Sequence, residues 1–224
     1  MVREPIFKST ALKDLRPTQI TVGMQEVAAK RRHWKQKHGD KAGAFLASHM
    51  IPVVLGPKDR RYVTDHHHLA RALYDEGVRE VATSVVLDLS HLDNDAFWVV
   101  LDNRGLLHPF DERGRRQGYD KIPKSISDLV DDPFRSLAGA LRRTGGYAKD
   151  TTPFSEFLWA DFLRHRMARK DVAEHFAKAV ETGSTWRSGE RRITCPAGAA
   201  PSRSKHPRSR ASIIRRVAGR RARH

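Results

Sequence analysis

The run Arg61-Tyr62-Val63-Thr64, aromatic and β-branched, passes without glycine or proline into Asp65-His66-His67-His68 and on into Leu69-Ala70-Arg71-Ala72-Leu73, whose apolar residues recur at helical spacing. A strand that feeds directly into a helix calls for a fold mixing the two element types. It also leaves the first amides of the helix without intrahelical partners and puts the positive end of the helix dipole beside them, a backbone arrangement suited to phosphate. Three imidazoles at that point can bind anions, move protons or ligate a metal.

The flanking pattern extends this unit. Ile51-Pro52-Val53-Val54-Leu55 reads as a strand that closes a hairpin with residues 61–64 through Gly56-Pro57-Lys58-Asp59. Gly77 is a natural end for the helix, and Val81 to Leu89 reads as a further, largely buried strand. Upstream, Ile6-Phe7 reads as a short strand, Pro17 as part of a turn, and Val22 to Lys37 as a basic amphipathic helix. Downstream, Ser90 or Asp93 caps a helix over Asn94 to Asn103, and residues 106–118 form an exposed loop in which His108 and Asp111 can contribute to a lid. Further helices are expected at Ile126 to Val130, Pro133 to Arg143, Pro153 to Arg166 and Val172 to Glu181. The fold class is α+β, with an N-terminal unit over residues 1–110 and a helical extension over 111–187.

From residue 188 onward Pro, Gly, Ser and Arg dominate, a composition expected to stay disordered. Residues 195–224 hold nine Lys/Arg and no Asp or Glu, so more than half of the net charge of +16 sits there. A basic tail can clamp nucleic acid or an acidic partner, or it can be a solvated end. The single cysteine, Cys195, cannot form an internal disulfide, and no apolar run reaches the roughly 18 residues of a membrane span. The N-terminus lacks the order of a signal peptide. A cytoplasmic location is expected.

Within the junction, Asp65 can cap the helix through the amides of His67 or His68, or orient a histidine or a divalent metal. Consecutive helical positions lie about 100° apart, so at most two of the three imidazoles serve one point. A neutral imidazole there can donate to phosphate or act as general acid or base, and the helix dipole disfavours its protonated form. Arg71 can reach back to the anion site or pair with Asp75. On the first helix Lys30, Arg31, Arg32, Lys35 and Lys37 form a basic face that can track a nucleic-acid backbone, with Trp34 either stacking on bases or anchoring the helix. Residues 153–166 and 172–181 have helix-turn-helix spacing, although Phe154, Phe157, Leu158, Trp159, Phe162 and Leu163 favour a packed core helix.

Two stretches, Thr64-Asp65-His66-His67-His68-Leu69-Ala70-Arg71-Ala72 and Leu15-Arg16-Pro17-Thr18-Gln19-Ile20-Thr21-Val22-Gly23, resemble the ParB-like family, and in particular its branch of ParB-like nucleases. The resemblance runs from about Ile6 to about Arg104, with the helices to about Gly183 as part of the same unit. It implies a ParB/sulfiredoxin-like fold, a small mixed sheet with helices, in which the strand-to-helix motif contacts the phosphates of a nucleotide or nucleic acid. Partition-type relatives carry Gly-Glu-Arg-Arg at this motif. Here His66 takes the glycine position, and His67 and His68 fall where the arginines or their neighbours would be. Free-serine kinases of the same fold, with Asp-Gly-His-His, are closer at Asp65, His67 and His68, and their catalytic carboxylate suggests Glu26. The resemblance thus implies Asp65, His67, His68 and Glu26 as catalytic groups, with His66, Arg71 and Gln19 in ligand binding. Phosphodiester cleavage is the first activity it implies, with nucleotide-dependent phosphoryl transfer and non-catalytic nucleic-acid binding as alternatives. A nucleotide and Mg are the candidate cofactors, and the metal ligands are left open.

Overall fold

The computed structural model describes residues 7–37, 42–147 and 154–185. The basic stretch from residue 188, with Cys195, lies outside them. Five strands form one mixed sheet: β1 (Phe7–Ala11), β2 (Leu15–Pro17), β4 (Ile51–Gly56), β5 (Arg60–Val63) and β6 (Glu80–Asp88), in the order β1-β6-β4-β5-β2. The expected hairpin is present, with Val53 opposite Val63 and Gly56 opposite Arg60 in antiparallel register. β4 and β6 run parallel, which requires a crossover, and α3 (His67–Asp75) supplies it. Gly77, at φ +73°, ends α3 where a side chain would be strained, and the Val78 amide donates back to the Leu73 carbonyl at 3.0 Å.

Alternation along the strands gives the sheet two apolar faces. Val53 and Val63 belong to a core completed by Leu69, Ala70 and Leu73 of α3 and by Val27 and Trp34 of α1 (Met24–Lys37). Their neighbours Val54 and Tyr62 point the other way, into a core with Phe97 and Leu101 of α4 (Asn94–Asn103). Asp93 caps α4 by accepting from the Ala96 amide at 2.8 Å. α2 (Ala42–Ser48) packs beside α1, with Phe45 edge-on to Trp34. Among the described residues no helix is long and apolar enough to cross a membrane.

Two expected helices differ. Residues 126–130 form a short 3-10 turn (Ile126–Asp128) and then β7 (Val130–Asp131), which pairs parallel with β3 (Thr21–Val22). The Ile20 carbonyl accepts from the Val130 amide at 3.0 Å, a long-range partner that local periodicity cannot reveal. The helix expected over 172–181 is two helices, α7 (Arg169–Glu174) and α8 (Phe176–Thr185), broken at His175. α5 (Pro133–Arg143) matches its expected bounds: Pro133 occupies the first turn and Asp132 caps it through the Phe134 amide. α6 (Ser155–Arg164) buries Phe157, Ala160, Phe162 and Leu163, so it is the packed core helix rather than an exposed reading helix.

Candidate functional site: a cavity at the strand-to-helix junction

The junction opens onto a cavity of about 480 Å³, within the usual range for small-ligand sites. Thr64 to His68 form one wall, Gln19, Glu26 and Lys30 a second, and Arg135, Arg142 and residues 154–157 a third. Sequence-distant segments therefore meet here, because β7 pairs with β3 and sets α5 against the start of α1. The contact is close. A Cβ on Gly23 would lie 2.5 Å from the Ser136 Oγ and 2.6 Å from its backbone nitrogen.

All three imidazoles line the cavity, and they do different things. His66 is exposed and holds the left-handed conformation, φ 64° and ψ 24°, immediately before α3. His67 is only 5% exposed: its Nε2 accepts from the Thr18 amide at 3.2 Å, and its ring also hydrogen-bonds the Val63 carbonyl. Those partners place the proton on Nδ1 and occupy both nitrogens. Burial, and then the charge of Arg135, lower the His67 pKa to about 3. Through these bonds His67 links β5 and the residue after β2 to the start of α3. His68 accepts from the Gly23 amide at 3.0 Å through Nε2, and burial followed by Arg135 pushes its pKa well below the ordinary value. The neutral state expected from the helix dipole is present, but desolvation is its main cause.

Asp65 does not cap through His67 or His68. Its Oδ1 accepts from the His66 amide at 2.6 Å, and the His66 side chain, at the N-cap position, makes no cap bond to α3. Glu26 lines the cavity but is held by Arg143 in a two-pronged pair, with Arg143 Nη1 to Oε2 at 2.6 Å. Gln19 also lines it, donating from Nε2 to the Thr21 carbonyl at 2.8 Å. Arg71 is turned away from the cavity, paired with Asp75 at 2.9 Å and donating to the Leu129 carbonyl. The reach-back to an anion is therefore replaced by the local ion pair.

The basic helix face is reduced as well. Arg31 and Lys35 both pair with Glu76, at 2.6 and 3.5 Å. Trp34 is 4% exposed and packed in the core, which rules out stacking on bases. Arg32 is exposed, Lys30 turns into the cavity, and the side chain of Lys37 lies outside the description. His108 and Asp111 do not line the cavity. Asp111 accepts from the Arg113 and Arg115 amides and folds its own loop, while His108 lies 3.5 Å from the Phe157 ring and is held by burial near a pKa of about 2.

Arg135 was not visible as a site residue in the sequence. It lies in an amphipathic helix where arginine normally reaches solvent, yet it is 4% exposed, lines the cavity, and lays its guanidinium 3.3 Å from the Phe157 ring centroid. Its Nε and Nη1 have no acceptor among the described residues, and burial lowers its pKa to about 10. The acidic groups that act on it, Glu156 first and Asp132 next, do so through space. A buried cation without hydrogen-bonded partners is costly, and such groups concentrate where a ligand completes them. Glu156 is itself paired with Arg142. Among the described residues no three His, Cys, Asp or Glu side chains group as a metal site.

Residues 8–165 match the family described as "Putative ParB-like nuclease", a span that contains all of the sheet but Phe7, and the cavity walls. The chain belongs to that family. The ParB-like chain is also similar to a solved structure, the crystal structure of protein Atu1540 from Agrobacterium tumefaciens, with 48% identity and a TM-score of 0.78 over 87% of this chain and 98% of that one. None of the curated proteins matches it. The ParB-like resemblance of the two sequence motifs is thereby established, and with it the α+β architecture.

Proposed function

We propose that this ParB-like protein binds a phosphate-bearing ligand, a nucleotide or an unpaired stretch of nucleic acid, in the cavity at the start of α3. The observation that carries the reading is Arg135, a buried guanidinium without a hydrogen-bonded partner among the described residues, on the wall beside an uncapped helix N-terminus. Arg135, Lys30 and the first amides of α3 would receive the phosphate oxygens, and the His68 Nδ1–H is a further donor.

Phosphodiester hydrolysis is the reaction the family description suggests, and the free groups at the motif suit it. His66 and Asp65, both exposed and lining the cavity, are the acid–base pair we assign: one takes the proton of the attacking water, and the other protonates the departing oxygen as the P–O bond breaks. His67 is a positioning residue, because its ring nitrogens are already committed. The test is cleavage of single-stranded and duplex DNA and RNA by the full chain, with and without magnesium. Single strands should be cut, and His66→Ala and Asp65→Asn should each abolish it. Binding of phosphate without cleavage of any strand would remove the nuclease reading and leave phosphoryl transfer, which consumption of ATP or ADP would then report.

A further inference from the structure

The cavity has a second feature that the phosphate reading does not use. α6 begins at the same cavity, with Phe154, Ser155, Glu156 and Phe157 all on its wall. Phe154, the residue before the helix, is left-handed at φ 59° and ψ 24°, nearly the same backbone state as His66 before α3. Neither residue places a side chain on the helix that follows. Both helices run for at least two turns, α3 with 9 residues and α6 with 10, so each carries a dipole. Arg135 lines the cavity with both starts, its guanidinium carbon 3.3 Å from the ring centroid of Phe157 of α6 and its charge acting on His67 and His68 of α3.

We infer that the cavity is a two-anion site, taking a ligand with two phosphate groups, one at the amides of α3 and the other at the amides of Ser155 and Glu156, with Arg135 serving both. The inference rests on the phosphate reading above and extends it to the substrate class. One anion can satisfy the amides of one helix start, and a mononucleotide monophosphate would leave the other without an acceptor among the described residues. The carboxylate of Glu156 does not fill that role, since Arg142 holds it in an ion pair. Two ligand chemistries supply paired phosphates: a diphosphate, in which they share a bridging oxygen, and a 5′-phosphorylated dinucleotide, in which a sugar separates them.

The test compares inorganic phosphate with pyrophosphate on the full chain by calorimetric titration, in the wild type and in two variants of Ser155. Pyrophosphate should bind the wild type at least roughly tenfold more tightly than phosphate, as expected when a second helix start adds its contribution. Ser155→Asp sets a carboxylate where the second phosphate would sit. It should bring the ratio of the two affinities to about one, while a carboxylate in the first turn keeps the unliganded melting temperature from falling. Ser155→Ala keeps the amide and should keep the ratio. Equal binding of the two anions by the wild type, a ratio that survives Ser155→Asp, or loss of both ligands in that variant would each overturn the two-anion site. Absence of any phosphate binding would instead bring down the earlier reading and this one together. A nucleoside diphosphate and a 5′-phosphorylated dinucleotide, titrated next, identify the source by whichever exceeds pyrophosphate, and the inference fails if neither surpasses inorganic phosphate.

Discussion

At the scale of single residues, three adjacent histidines differ in what their ring nitrogens meet: His67 the Thr18 amide, His68 the Gly23 amide, while His66 is exposed. His67→Ala leaves the Thr18 amide without its acceptor and opens a hole in the core, so it should cost about 2–4 kcal/mol in urea unfolding. His66→Ala, one position earlier and exposed, should change stability by less than about 0.5 kcal/mol while removing strand cleavage. A variant pair with the reverse pattern would mean that the assignment of duties is wrong. Arg135→Met gives the opposite signature to a packing mutant. Replacing a buried charge that lacks hydrogen-bonded partners among the described residues with an apolar side chain should leave the melting temperature of the unliganded protein unchanged or higher, while the shift produced by saturating phosphate disappears. The three imidazoles were legible in the sequence as a cluster. Their division of labour was not, because it depends on the amides of Thr18 and Gly23, which lie more than 40 residues away in the chain.

At the scale of elements, the site exists because α1 and α5 approach closely enough for α5 to deliver Arg135. Gly23 permits this contact. Gly23→Ala would push its new methyl group into the Ser136 backbone, and overpacking of this kind typically costs about 1–3 kcal/mol. The same substitution moves the amide that His68 accepts from, so phosphate affinity should fall together with the denaturation midpoint; stability lost with affinity intact would separate the contact from the site. Helices and strands with strong local signals, such as α4 with its Asp93 cap and α5 between Asp132 and Arg143, were readable from neighbouring residues alone. β7 was not, since two residues become a strand only by pairing with Thr21 and Val22. The break at His175 also escaped the pattern, because the apolar period continues across it.

At the scale of the whole molecule, three neutral histidines, His67 buried and His68 and His108 half-buried, tie stability to pH. The pKa of His67 is lowered to about 3, that of His108 to about 2, and His68 is shifted in the same direction. Above pH 6.5 the folded and unfolded chains both hold these rings neutral, and they contribute no pH dependence. Below it the unfolded chain takes up protons that the folded chain refuses, so stability falls as pH falls, by up to about 1.4 kcal/mol per pH unit for each ring. Asp132 and Asp161, raised by burial, act in the opposite sense at lower pH. The denaturation midpoint should therefore be flat, as far as these rings go, from pH 8 to 7 and drop steadily from 6.5 to 5; a midpoint that stays level to pH 5 would contradict the buried neutral state. The hairpin, the helices α3, α4 and α5 and membership in the ParB-like family were written in the chain, since each depends on residues close in sequence or on contiguous motifs. What the folded arrangement alone supplied was the identity of the cavity's far wall: Arg135, Arg142 and the start of α6 come from a helical segment with its own apolar periodicity. A periodic pattern tells which face of a helix is buried, but not that a charge on that face is buried against a cavity whose other walls come from a distant part of the chain.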